Sequence, residues 1–331
     1  MSRPETRGLH RFFVEQAAVA SVSAGDPVSL GGAQAHQVSR VLRLRPGSRL
    51  VLLDGNGAEY LVRLDEVRSS SVTGTVEAVL ASRPEPQLRL TLYQALVPRD
   101  RFETVLQKGT EVGIVRFVPT WCERSIVPGG DAVDAKRLER WRRIVTEAAE
   151  QCERGIVPEV CAPLRFSETV RQATAAGPTL VAWEREDARS LRYGLIAAGG
   201  RLPSSDAMPP PSPNPSPSRT LGPPLRGANI GFADIPSGLP RSRGRGEYIE
   251  SVSPTELRSR IGGPGNFTLA LFVGPEGGFS DAEIAEATDL GALTVSLGPR
   301  ILRTETAGPI LAALALYEAG DLDPIPTEPA P

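Results

Sequence analysis

The chain has 331 residues, enough for two domains, a 40% hydrophobic share ordinary for a globular protein, and a net charge of -2, so it is no polycation. Its cations apart from Lys108 and Lys136 are all arginines, which grip phosphate as a fork and stack on bases. Cys122, Cys152 and Cys161 lack CxxC spacing and have only His10 and His36 beside them; this argues against a zinc site and fits free thiols in a reducing cytoplasm.

The start, MSRPETRGLHR, lacks the apolar core of a signal peptide, and no apolar run approaches the roughly 20 residues of a membrane span. Residues 1–82 read as a β-rich module. His10–Val14 suits a first strand. Ala33–Leu44 carries Val38, Val41 and Leu42 at helix-compatible spacing, ended by Pro46-Gly47. Leu50–Leu53 and Tyr60–Leu64 flank Asp54-Gly55-Asn56-Gly57, a hairpin signal. Ser71–Leu80 adds a strand, and several short strands with turn signals predict a compact barrel. Arg83–Pro86 reads as a hinge.

Residues 87–320 alternate strand and helix, which predicts an α/β domain with a parallel sheet. Leu88–Val97 is a strand. Asp100 is a candidate cap for a helix through Val112, closed by Gly113. Val115–Thr120 is a strand, Asp134 to about Cys152 a long helix with Leu138, Trp141, Ile144, Val145 and Ala148 on its apolar side, and Pro178–Trp183 a third strand. The segment of about 200–248 holds MPPPSPNPSPS and PRSRGRG and has no apolar period; it reads as a disordered insertion. A capping box follows at Ser253-Pro254-Thr255-Glu256.

Two strands then end in glycine-proline loops. Thr268–Val273 breaks into Gly274-Pro275-Glu276-Gly277-Gly278, and Ser280 and Glu283 form a capping box immediately after. Leu293–Leu297 breaks into Gly298-Pro299-Arg300. Loops at the carboxyl ends of parallel strands are where α/β proteins place ligands. Side by side, these two offer backbone N–H and C=O groups to a flat, polar-edged group such as adenine, and neither lysine lies where a phosphate-binding loop needs one. Pro309 restricts the last helix to a start near Glu305–Ala307, with Thr304 or Thr306 as cap and Arg303 and Glu305 at the mouth of the loop. That helix, PILAALALYEAG, is apolar on most sides, which predicts burial against the sheet and against a partner subunit.

With these residues in view, the sequence resembles the RsmE family of 16S ribosomal RNA (uracil-N3) methyltransferases, of the SPOUT superfamily. VGPEGGFS at Val273–Ser280 and LGPRILRTETA at Leu297–Ala307 resemble its cofactor-loop motifs. QKGTEVG at Gln107–Gly113, ERS at Glu123–Ser125, and EAAEQCER at Glu147–Arg154 with Val157-Pro158 resemble its mid-domain motifs, and HQVSRVLRLRPG at His36–Gly47 its N-terminal domain. The resemblance covers about residues 10–186 and 253–320.

It implies a SPOUT-type methyltransferase domain with a C-terminal trefoil knot after a PUA-like barrel, S-adenosylmethionine as cofactor, a cytoplasmic homodimer, and 16S ribosomal RNA or the small subunit as partner, with no membrane and no metal. Carried over by position, Val273, Gly274, Pro275, Glu276, Gly277, Leu297, Gly298, Ile301, Leu302, Arg303 and Thr304 would hold the cofactor. Arg303, Glu305 and Glu276 are the catalytic candidates: Arg303 as the cation that stabilises an N3 anion, Glu305 as the base, Glu276 as a base or as an orienter of its loop. Arg11, Arg40, Arg43, Arg124 and Arg154 are the RNA-binding candidates. Two other readings compete: a SPOUT enzyme that methylates a ribose or a tRNA base, and a non-catalytic ribosome-assembly factor that keeps the fold.

Overall fold

The computed structural model describes residues 6–19, 21–125, 133–199 and 267–323. The expected insertion at about 200–248 and the capping box at Ser253–Glu256 lie outside the described residues.

The N-terminal part is a five-stranded sheet in the order β1-β3-β4-β5-β2. Its strands are β1 (Arg11–Phe13), β2 (Pro27–Gly31), β3 (Arg49–Leu53), β4 (Ala58–Val67) and β5 (Ser71–Ala81). β1 runs parallel to β3, and the other pairings are antiparallel. Strand periodicity puts Leu50 and Leu52 in one apolar cluster and Val51 and Leu53 in another, so β3 is buried on both faces. The predicted hairpin forms between β3 and β4: the Asp54 carboxylate accepts from the Asn56 and Ala58 amides at 2.8 and 3.0 Å. The helix expected over Ala33–Leu44 is shorter. After α1 (Gln16–Val19), α2 (Gly32–His36) runs into a π-helical turn at Gln37–Val41. That wider turn takes Val41 out of register with the core, 65% exposed, while Val38 is buried. Sequence pattern alone does not predict β2.

The larger sheet is all parallel, in the order β12-β10-β11-β6-β7-β8, with β9 also on β7. Its strands are β6 (Arg89–Ala95), β7 (Arg116–Trp121), β8 (Glu159–Val160), β9 (Leu164–Arg165), β10 (Thr179–Ala182), β11 (Thr268–Val273) and β12 (Leu293–Val295). Along β11, Leu269, Leu271 and Val273 enter one core and Ala270 and Phe272 the other, as burial on both faces of a parallel sheet requires. The first core is closed by α3 (Arg99–Val112), α4 (Ala135–Gln151), α6 (Leu191–Ala198) and the last helix, α8 (Thr304–Ala319). The second is closed by α5 (Phe166–Ala176) and α7 (Asp281–Asp289). Asp134 caps α4 by accepting from the Arg137 amide at 2.8 Å. Asp100 is no cap: Pro98 holds that position and Asp100 lies in the first turn of α3.

The expected hinge is bolted in place. Arg154 grips the Glu85 carboxylate with Nε at 3.0 Å and donates through Nη1 to the carbonyls of Thr110 and Ile114. Arg83 pairs with Glu153 at 2.6 Å, and the Phe13 amide donates to Glu150 at 2.9 Å. The two sheets therefore keep a fixed relation.

Candidate active site

The site forms at the carboxyl ends of the central strands. β11 ends at Val273 and turns through Gly274–Gly278 into α7. The capping box is present: Ser280 Oγ accepts from the Glu283 amide at 3.2 Å, and Glu283 accepts from the Ser280 amide at 2.8 Å. The second oxygen of Glu283 accepts from the Glu123 amide at 2.9 Å, which draws the Glu123–Ser125 loop to the same place. Gly278 sits at φ +68, a left-handed turn that favours glycine.

Strand β10 lies between β11 and β12, so the two glycine-proline loops do not leave adjacent strands. They meet because the chain comes back. After Ser296–Arg303 it enters α8, which packs on α3, β6 and β11. The Thr304 hydroxyl donates to the Gly274 carbonyl at 2.6 Å and accepts from the Gln94 side chain at 2.9 Å. α8 begins at Thr304, just before the start that Pro309 suggests, and Pro309 lies inside it. Neither Thr304 nor Thr306 caps it; Arg303 occupies the cap position without a side-chain bond. The reason is that the Thr304 hydroxyl is committed to the other loop.

The candidates divide by surroundings. Arg303 is exposed at the start of α8 and makes no ion pair among the described residues. Glu305 is half-buried, and its Oε2 is buried with no hydrogen-bond partner. Glu276 is paired with Arg101 of α3, which ties the first loop to the start of that helix. Leu297 and Leu302 pack against the larger core, whereas Ile301 is 88% exposed. Val273 is buried in the core, Pro275 accepts from the Gly278 amide through its carbonyl, and Gly298 closes a turn on Ser296. Gly277 is held by Arg124, whose Nη1 donates to the Gly277 carbonyl at 2.9 Å and to that of Phe279 at 3.4 Å.

Two RNA-binding expectations are corrected. Arg11 is buried against Glu59 at 3.0 Å and lies 3.7 Å from Glu153. Arg154 is committed to Glu85 and two carbonyls. Both guanidiniums are engaged with partners inside the protein. Arg124 braces the first loop. Arg40 and Arg43 are exposed, with no ion pair among the described residues.

Sequence reasoning missed Gln94, Arg101 and a buried cluster beside β12. In that cluster Glu186 accepts from Thr294 at 2.6 Å, and Arg189 donates to Thr294 at 3.0 Å. Gln94 had a visible signal, an uncharged polar residue inside an apolar strand; Arg101 had none. Burial, with Glu283 nearby, pushes the Cys122 thiol well up, which keeps it neutral beside the loop. Among the described residues no group of three or more His, Cys, Asp or Glu could hold a metal ion, and no helix is long and apolar enough to cross a membrane.

A family model described as an RNA methyltransferase domain matches residues 83–198 and 252–316, and one described as an RNA methyltransferase PUA domain matches residues 30–77. The chain is 27% identical to the ribosomal RNA small subunit methyltransferase E of Bacillus subtilis, over 93% of this chain and 96% of that protein. It is 30% identical to the protein of that name from Synechocystis, over 86% of this chain and 71% of that one. A methyltransferase of Legionella pneumophila, solved in complex with S-adenosylmethionine, superimposes with a TM-score of 0.63 at 25% identity, over 95% of this chain and 97% of that one.

Proposed function

Because the chain belongs to the RNA methyltransferase family that includes the ribosomal RNA small subunit methyltransferases E, we propose that its two converging loops hold S-adenosylmethionine and direct methyl transfer to N3 of a uridine in 16S ribosomal RNA. The chain is an rRNA methyltransferase that uses S-adenosylmethionine. The observation that carries the reading is the 2.6 Å bond from Thr304 to the Gly274 carbonyl, which brings both loops together with Arg303 and Glu305 on either side. The residues fit such a ligand: the orphaned Oε2 of Glu305 is a buried acceptor awaiting a polar partner at the start of α8. Val273, Gly274, Pro275, Glu276 and Gly277 from one loop and Leu297, Gly298, Ile301, Leu302, Arg303 and Thr304 from the other would line it.

When bound, the cofactor supplies an electrophilic methyl on a sulfonium. Displacement at that carbon needs the nucleophile in line, so positioning supplies much of the rate. Uracil N3 carries a proton that must leave first. Arg303 is exposed at the mouth, where its charge would stabilise the N3 anion and the flanking carbonyl oxygens. Glu305 is the base in this reading, since its Oε2 has no internal partner. Glu276 orients its loop instead, through Arg101. A paired base cannot react inside a duplex, so the target uridine is unpaired or extruded.

The finer architecture belongs to the same reading. The path from the edge strand β12 back over β11 and β6 supports a C-terminal trefoil knot, and the five-stranded sheet supports a PUA-like barrel, with domains at 1–82 and 87–320. Ile310, Leu314 and Tyr317 lie at four- and three-residue spacing on α8 and are 42%, 43% and 58% exposed, which supports a homodimer through that face. A ribosomal substrate implies a cytoplasmic site of action.

The test is incubation with methyl-labelled S-adenosylmethionine and small ribosomal subunits, followed by nucleoside analysis. Label in N3-methyluridine is the expected result. Label on ribose, or none while tRNA in a parallel reaction is labelled, overturns it, as does no label in either.

A further inference from the structure

We propose that Gln94 is a positioning residue for methyl transfer, which fixes the direction of the Thr304 hydroxyl and through it the register of both loops. The inference rests on the functional reading above. Gln94 stands near the end of β6, 1% exposed, in the centre of the sheet. Its Nε2 donates to Thr304 Oγ1 at 2.9 Å, and Thr304 donates to the Gly274 carbonyl at 2.6 Å. A hydroxyl has one hydrogen. With an amide donor facing its oxygen, that hydrogen is aimed at Gly274 and nowhere else. The chain of bonds therefore has one polarity, from strand to helix to loop.

No side-chain cap holds the first turn of α8, where the Thr306 and Ala307 amides donate to the Arg303 carbonyl at 2.9 and 2.8 Å. Pro309 has no N–H to offer the carbonyl of Glu305, four residues earlier. Arg303 and Glu305 flank Thr304, whose side chain ties β6 to the first loop. The sequence keeps this tie at a cost: Gln94 Oε1 is buried with no hydrogen-bond partner. Room for that oxygen is kept by Gly308, where a Cβ would lie 2.8 Å from it. A buried amide with one end idle is retained because its other end works.

The test uses the full-length enzyme, with titration calorimetry of S-adenosylmethionine and steady-state kinetics on small subunits. Gln94→Leu removes the first bond of the relay and Thr304→Val removes both, each at nearly constant volume. Each is expected to weaken cofactor binding about tenfold and to lower kcat, with KM for RNA unchanged. The double variant should be no worse than either single, because the relay acts as a unit. Gln94→Glu tests polarity, and stands in if the Leu variant does not fold. Its protonated carboxyl donates to Thr304 and its carboxylate cannot, so cofactor affinity should fall as pH rises in this variant while the wild type stays flat. Wild-type affinity in Gln94→Leu, additive losses in the double variant, or a flat profile for Gln94→Glu overturns the relay. Failure of the wild type to bind S-adenosylmethionine would instead remove the functional reading beneath it.

Discussion

Arg11 and Glu59 form an ion pair at 3.0 Å with side chains 2% and 0% exposed, and Glu153 of the larger domain stands 3.7 Å from the same guanidinium. The pair lies where the N-terminal sheet meets the end of α4, so it helps fix the two parts of the chain against each other. Arg11→Met keeps most of the volume and takes the Arg11 cation away from buried Glu59, while Glu153 keeps its pair with Arg83. The expected loss is about 3–5 kcal/mol in urea unfolding. Nucleic-acid affinity measured well below the unfolding transition should be unchanged; a selective loss of affinity with stability intact would return Arg11 to the RNA-binding set.

Arg40 and Arg43 carry the opposite expectation. Both are exposed on the π-helical turn and its exit. Replacing either with alanine should leave stability within about 0.5 kcal/mol, as for surface positions generally. Binding of 16S RNA fragments should weaken, and the salt dependence of log K should flatten by about 0.7 to 0.9 for each phosphate that the variant no longer neutralises. An unchanged slope in both variants would move the RNA surface elsewhere.

These two cases show what was legible in the sequence. Strand and helix alternation gave the parallel sheet, and the glycine-proline loops gave a candidate site, because both follow from local pattern. Which arginines face water did not: Arg11 and Arg40 are chemically alike, and only the fold puts one against Glu59 and leaves the other exposed. The meeting of the two loops was also hidden. β10 separates their strands, and the bond between the loops is made by Thr304 from a returning helix. Pro309 misled slightly about where that helix begins, because the packing of α8 tolerates a proline inside its second turn.

Glu150 gives a pH prediction. It accepts from the Phe13 amide at 2.9 Å; burial pushes its carboxyl above the ordinary 4.5, the amide pulls it back, and Glu147 adds a smaller upward push. A raised pKa means the folded state holds the proton more tightly than the unfolded chain. The stabilisation is full below the unfolded value and is lost as pH rises through the folded one. Glu150→Gln keeps an acceptor for Phe13 and removes the titration. Relative to wild type the variant should gain stability as pH rises from about 4 to about 7 in urea unfolding. A gain that runs the other way would mean that the charged bond to Phe13 outweighs burial.

Arg303, Glu305 and Glu276 should separate by kinetics. Arg303→Ala keeps the backbone through which Arg303 would line the cofactor, so S-adenosylmethionine affinity is expected to change little while kcat falls about 100- to 1000-fold, as for removal of one electrostatic stabiliser. Glu305→Gln should lose about 100-fold or more in kcat, as for removal of a general base. Glu276→Gln breaks the pair with Arg101 and should raise KM for the cofactor with kcat nearly preserved. If Glu276→Gln loses kcat to that extent and Glu305→Gln does not, the two carboxylates exchange roles.

The outer face of α8 yields the last prediction. Ile310, Leu314 and Tyr317 form an apolar stripe opposite the buried Leu311, Ala315 and Ala319. The same helix starts at Thr304 and Glu305, so a partner seated on its stripe would also brace the site. Leu314→Arg puts an unpaired charge in the centre of that interface, at a cost of about 3 kcal/mol or more, roughly a 100-fold rise in the dimer dissociation constant. Analytical ultracentrifugation should then show a dimer for wild type and a monomer for the variant at micromolar concentration. Because Leu314 faces away from the core, thermal unfolding of the isolated subunit should stay cooperative. Cofactor affinity should fall together with dimerisation, since the start of α8 loses its outer support. A wild type that sediments as a monomer, with Leu314→Arg indistinguishable from it in cofactor affinity, would show that the stripe is not a subunit interface and that the first turn of α8 is held from the inside alone.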